Sequence, residues 1–289
     1  MRFCFLPLLV PFFTFNLFSQ TVSNVGMEIR DGRVIISYDL SGDSTDHYDL
    51  DVTAIDENGS RTRPSAVVGD LKEVTIGHGR TIWWEPQLEG LKPTGWRISL
   101  KAIGIGITWV LVVGGPNGDY YVSATEITFS QYDMFCEATG YEKPNSAFGR
   151  GEQPVVNVSV ADAMTYCSWL GKRTKTVVRL PEEDEWEYAA RGGKTSRRTQ
   201  FSGGNVIDAV AWYSGNSGNK THTVKTKKAN ELGIYDMSGN VWELCGTSGA
   251  FRGGSWYSGE ANCQVTSRYE YDSGDHRSDD LGFRVLQKR

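Results

Sequence analysis

Three groups of residues in this chain could do chemistry: its cysteines, an acidic cluster and a long polar run near the C-terminus. Cys4 lies in an apolar leader, which leaves Cys136, Cys167, Cys245 and Cys263 for thiol chemistry, bridging or burial. Cys136 and Cys167 each sit in an apolar helical pattern, where a small buried hydrophobe and a mutual bridge are equally open. Cys245 and Cys263 flank the cluster Arg252-Gly253-Gly254-Ser255-Trp256 and form the better pair for a disulfide stapling the last loops. Glu182, Glu183 and Asp184 stand together as general acid–base groups would. They follow Pro181 at a helix start, however, where carboxylates complement the dipole and face solvent.

The polar run is Tyr257 to Asp280. Tyr257, Ser258, Gly259, Asn262, Ser267, Tyr269, Tyr271, Asp272, Asp275, His276, Ser278, Asp279 and Asp280 use the residue types of antibody paratopes. Tyrosine gives rigid amphipathic contact area, and Ser, Gly and Asn give adaptable hydrogen bonding. Each type can be reached from an asparagine codon by changing adenines alone, whereas Glu270 needs another parent. Ala261, Cys263, Val265, Arg268, Arg277 and Leu281 interrupt the run as structural posts. Acids outnumber Arg268 and Arg277 here, so a protein or glycan ligand with a polar or basic patch suits the face.

Helices must position these groups. Ser130 can cap a helix through Met134, Phe135 and Ala138 that stops at Gly140. Ser159, with Asp162 three residues on, can cap a second through Tyr166, Cys167 and Leu170, ending at Gly171. Pro181 opens a third through Trp186 and Tyr188 to Gly192-Gly193. Beyond it the chain is rich in Gly, Asn, Ser and Trp without periodicity, as functional loops are.

Residues 21–106 carry no helix pattern. Met27 to Asp39 alternates around Asp31-Gly32, Tyr48 to Ile55 alternates and turns at Asn58-Gly59, and Val74 to Trp84 and Trp96 to Ile103 add strands. This reads as an antiparallel β-sandwich of immunoglobulin or fibronectin type, with residues 108–289 as a second domain. His47 and His78 are isolated and read as surface residues. The net charge of −5 offers no basic footprint for nucleic acid. Residues 1–20 read as a secretory signal peptide, and no other segment could span a bilayer. An exported protein is expected, periplasmic, extracellular or cell-surface associated.

Four blocks then carry a likeness: Arg179 to Gly193, Gly233 to Glu243, Arg252 to Trp256, and Leu281 to Val285. They resemble, in order, the motifs of the formylglycine-generating enzyme (sulfatase-modifying factor) family. The resemblance implies an α+β, C-type-lectin-like fold with little regular secondary structure. It also implies oxidation of a sulfatase cysteine by two copper-binding cysteines, whose positions fall here on Ser258 and Cys263. A hydroxyl is a poor ligand for copper(I), so no copper is expected, and Cys263 alone is left for such chemistry. The family's calcium loop maps onto Asp236, Gly239, Val241 and Glu243, an all-oxygen set suited to calcium. The run 257–280 resembles the variable region of retroelement-diversified binding proteins on this fold. A non-catalytic ligand-binding protein is therefore expected. A sulfatase-modifying oxidoreductase and a cell-envelope assembly component are the alternatives.

Overall fold

A computed structural model of the chain describes residues 21–42, 48–246, 250–270 and 275–289. The expected leader, His47, Tyr271 and Asp272 lie outside the described residues. The chain mixes helices with several antiparallel sheets and divides into two compact units, Met1–Gly104 and Ile105–Arg289.

In the first unit, β1 (Thr21–Arg30), β2 (Arg33–Ser41), β6 (Gly77–Trp84) and β5 (Val67–Gly69) form one antiparallel sheet in the order β1-β2-β6-β5. The other sheet, in the order β4-β3-β7, joins β3 (Tyr48–Ile55) to β4 (Arg61–Thr62) and β7 (Arg97–Gly104). Asp31 (φ 52°) and Gly32 (φ 78°) connect paired Arg30 and Arg33, the double positive φ that a right-twisted two-residue hairpin requires. Strand alternation decides the core. Val34, Ile36, Tyr38 and Leu40 of β2, Tyr48, Leu50, Val52 and Ala54 of β3, and Ile82 and Trp84 of β6 share one buried cluster.

The second unit opens with the hairpin of β8 (Trp109–Gly115) and β9 (Gly118–Ser123). The C-terminal β15 (Leu286–Lys288) pairs with β9 and with β10 (Val178–Arg179), closing the sheet β10-β15-β9-β8. A further sheet, β13-β12-β11-β14, is built from β11 (Trp242–Cys245), β12 (Ala250–Arg252), β13 (Arg268–Glu270) and β14 (Leu281–Gly282). This sheet holds parts of three of the motif blocks and part of the polar run.

Three helices brace these sheets. α1 (Phe129–Thr139) is capped by Thr128, not Ser130, because Gln131 and Thr128 exchange side-chain and backbone bonds as a capping box. α2 (Val160–Thr174) is capped as expected by Ser159 with Asp162, but it runs through Gly171 to Lys175, which takes the left-handed turn (φ 55°). α3 (Glu183–Ala190) begins two residues after Pro181, with Glu185 Oε2 accepting the Glu182 N–H at 2.9 Å and Asp184 Oδ1 accepting the Glu185 N–H at 2.8 Å. Tyr132 of α1 stacks on Tyr166 of α2 at 5.5 Å, and both meet Phe283 edge-on within the main apolar cluster.

Candidate functional site

The sulfur chemistry is closed off by burial. Cys263 ends a 3-10 turn (Glu260–Cys263), is fully buried, and packs with Phe201, Ile207, Val210 and Ala211. Burial pushes its thiol up to about 12, so it is neutral near pH 7 and no ready nucleophile or metal ligand. Cys245, on β11, joins a different cluster with Trp186, Met237 and Val265, and burial raises its thiol as well. The expected Cys245–Cys263 disulfide is therefore corrected: all four described cysteines are free, and these two are drawn into separate apolar clusters. Cys136 and Cys167 are likewise buried free thiols.

Ser258 is equally withdrawn. Its Oγ accepts the Ser255 N–H at 3.0 Å and lies 3.1 Å from Ser255 Oγ, which donates to Asp280 Oδ2 at 2.8 Å. Ser278 Oγ donates to the other Asp280 oxygen. Two positive-φ glycines make this compact turn possible. A Cβ on Gly254 (φ 78°) would stand 2.8 Å from Cys263 Sγ and 2.7 Å from Asn262 O. Ser258, Ser278 and Asp280, expected to bind ligand, brace the segment, with Ser258 buried and the other two half-buried.

The rest of the segment does present a face. Tyr257 and Tyr269 are 69% and 53% exposed, Gly259, Asn262, Glu270 and Asp275 are exposed, and Ser267, His276 and Asp279 are half-buried. Tyr269 on β13 stacks on Phe251 of β12, which also stacks on the His276 ring at 5.9 Å. Trp242 on β11 approaches Tyr269 at 6.2 Å, which extends the aromatic row. Tyr257 meets Trp256 edge-on, and Trp256 meets Phe148 from the loop after α1. Trp242 and Phe148 were not among the expected site residues. Trp242 was legible only as part of a motif block, and Phe148 lies far away in sequence.

The acids of α3 are not merely solvated. Glu183 binds Arg268 Nε at 2.6 Å, Glu187 binds Arg191 and Arg252, and Glu185 binds Arg179. They tie the helix to β10, β12 and β13, while Glu182 and Asp184 are exposed.

The loop expected to hold calcium is organised differently. Glu243 and Arg284 are both fully buried, with Arg284 Nε and Nη2 each 2.6 Å from one Glu243 oxygen. Trp186 Nε1 donates to the same carboxylate at 2.6 Å. Asp236 Oδ2 accepts the Lys225 N–H at 2.7 Å. A guanidinium gripping both oxygens of Glu243 excludes a dication from them, so Asp236, Gly239, Val241 and Glu243 do not fit calcium as arranged. No group of three metal-binding side chains occurs among the described residues. Glu126, which sequence reasoning missed, is buried beside this pair with no hydrogen-bond partner at either carboxylate oxygen. Burial first, then the charges of Asp236 and Glu243, raise its pKa well above the carboxylate range, and burial raises Asp236 too.

The sulfatase-modifying factor enzyme 1-like domain matches residues 117–289, more than half of the chain. The chain belongs to this family. Curated family relatives include a formylglycine-generating enzyme of Streptomyces coelicolor, 30% identical over 67% of this chain and 72% of that protein. An inactive C-alpha-formylglycine-generating enzyme 2 of Bos taurus is 36% identical over 46% of this chain and 50% of that one. The chaperone protein LppX of Paenibacillus barcinonensis is 31% identical over 59% of this chain and 81% of that protein. Among solved structures, Treponema denticola variable protein 1 superposes with a TM-score of 0.55 at 25% identity, covering 65% of this chain and 96% of that one. PvdO from Pseudomonas aeruginosa shares the fold, with a TM-score of 0.53 over 92% of this chain and 98% of that one, at 18% identity. The family thus includes proteins named as enzymes and others named as inactive.

Proposed function

We propose that this chain is an exported ligand-binding protein on a sulfatase-modifying-factor-like domain, acting through the surface of residues 257–280 and without catalysis at Ser258 or Cys263. One contrast carries the reading: Cys263 is 0% exposed while Tyr257, six residues earlier, is 69% exposed. The segment hides its only sulfur and displays its aromatic contact area. The likeness to an inactive family member and to a protein named as variable supports it. Residues 1–20 would deliver the protein across the membrane as a signal peptide. The first unit, as an immunoglobulin- or fibronectin-like sandwich, would serve as a spacer or docking domain.

Two measurements test this. Copper(I)-treated protein incubated with a cysteine-containing sulfatase peptide should leave the peptide unmodified; formylglycine in the peptide would overturn the non-catalytic reading. Sequencing the 3′ coding segment from many isolates should find changes concentrated at codons of the exposed positions, with Trp256, Cys263 and Phe283 constant. An invariant segment would remove diversification from the proposal. The match to a chaperone over 81% of its length favours envelope assembly as a second reading, which a stable partner burying Tyr257 and Tyr269 would support.

A further inference from the structure

The loop leaving α1 and the end of the polar segment enclose a cavity of about 690 Å³ whose wall includes Tyr141, Asn145, Asn157, Asp162 and Arg277. Its volume falls in the range of about 300–1,000 Å³ typical of small-ligand sites. The wall is fixed by the protein itself. Gly140 (φ 74°) turns the chain out of α1, and Arg150 holds the loop by donating to Pro144 O at 2.8 Å and binding Asp133. Asn157, at φ 60°, joins the two sides: its Nδ2 donates to Asn145 O at 3.1 Å and its N–H donates to Ser278 O at 2.9 Å. Such pre-organisation removes ordering cost from binding.

The charges of the wall are already answered. Asp162 accepts from Tyr141 Oη at 2.8 Å, Arg277 Nε at 3.0 Å and the Ser159 N–H at 2.8 Å. Burial opposes its ionisation, yet these bonds hold its carboxyl below the usual range. Lys143, also on the wall, pairs with Glu137 at 2.7 Å, and Glu142 is exposed at the rim. Among the charged groups of the described wall residues the Glu142 carboxylate alone lacks an ion-pair or hydrogen-bond partner, and at the exposed rim it disfavours an anionic ligand. The wall offers instead the side-chain amides of Asn145 and Asn157, which donate and accept, and the Arg277 guanidinium, which donates, with Tyr132 and Tyr141 among its lining residues. Hydroxyls pair with such groups in both senses, and sugar C–H faces pack on aromatic rings.

We propose that this cavity binds a neutral oligosaccharide. It rests on the binding reading above at one residue, Arg277, which belongs to the segment 257–280; the other walls stand outside it.

The test is calorimetric titration of the full chain with maltotriose, cellotriose, xylotriose and chitotriose, each to about 10 mM. At least one should bind saturably. Asn145→Trp, at an exposed position, should fill the cavity and weaken that binding about tenfold or more. Asn157→Gly keeps the left-handed backbone and removes the amide, so it should weaken binding while circular dichroism stays unchanged. Val177→Ala, at an exposed position outside the cavity wall, should leave saccharide affinity intact. Binding by none of the sugars, or binding indifferent to Asn145→Trp, overturns the proposal. A sugar lost with Tyr257→Ala but not with Asn145→Trp overturns the cavity and leaves the binding reading of the segment standing. Preference for a sulfated or uronic trisaccharide over every neutral one also overturns it.

Discussion

Glu243 and Arg284 are the pair whose removal should cost the second unit most. Both side chains are fully buried, and Arg284 also donates to Ser123 O at 3.0 Å and Tyr235 O at 2.9 Å. Truncating one partner leaves the other charge buried and unanswered, so Glu243→Ala should destabilise by about 3–5 kcal/mol in denaturant titration. A loss below about 1 kcal/mol would mean that solvent reaches the site. Because Arg284 occupies Glu243, chelation with EDTA should leave the melting temperature unchanged, and a clear drop would place a cation where none fits in this arrangement. For Cys263, iodoacetamide labelling of the native protein should stay slow and gain little rate between about pH 7 and 9, since a thiol pushed up to about 12 forms little thiolate there. Unfolding without reductant should release four reactive thiols from the described cysteines, and a Cys245–Cys263 linked peptide by mass spectrometry would contradict the structure. At this scale the sequence was half legible. The block Leu281-Gly282-Phe283-Arg284-Val285 was readable as a motif, and its arginine donates to the loop carbonyls of Ser123 and Tyr235. The partner of Glu243 was not readable, because an ion pair spanning 41 positions leaves no local spacing. Nor was the Cys245–Cys263 separation, because nearness in sequence says nothing about which apolar cluster claims each thiol.

Glycine in the middle of a helix separates local preference from packing, and α2 contains such a glycine. On propensity alone Gly171→Ala should stabilise the helix by about 1 kcal/mol. The structure predicts the opposite sign. A Cβ at Gly171 would meet Thr176 O at 2.8 Å and the Val178 N at 3.4 Å, where the chain returns from α2 into β10. The variant should melt below the wild type, and an increase in melting temperature would show that the β10 turn can give way. Ser159→Ala, which removes a buried cap, should cost about 1 kcal/mol. The same position explains an error of reading: Gly171 looked like a helix stop because stops and close approaches both call for glycine, and only the partner backbone tells them apart. Ser130 was mistaken for the α1 cap for a related reason. Thr128 and Ser130 are both good caps, and the choice falls to Gln131, which reaches back to the Thr128 N–H. Helix existence was therefore legible from periodicity, whereas the ends were decided by one reciprocal bond or one tight contact.

The chain's two compact units each carry their own buried cluster, with Val34, Ile36, Ile82 and Trp84 at the centre of the first and Phe129, Tyr132, Tyr166 and Phe283 at the centre of the second. That the second would share a fold with formylglycine-generating enzymes was legible from four ordered blocks, since they supply its buried anchors Trp186, Met237, Trp256 and Phe283. The cavity beside Asn157 was not legible, because its wall is assembled from Gly140 to Asn145, Asp162 and Arg277, which only the fold brings together. The same partition predicts how the molecule can be divided. The family match begins at residue 117, and β8 supplies the edge strand just before it, so a fragment of residues 105–289 contains every strand of its two sheets and its main cluster. Expressed alone, it should unfold in a single cooperative transition and bind the same saccharide with the affinity of the full chain. A fragment that fails to fold would make the first unit a required partner in stability. A fragment that folds but loses affinity would assign the first unit a part of the ligand's site. Equal affinity would confine saccharide recognition to residues 105–289.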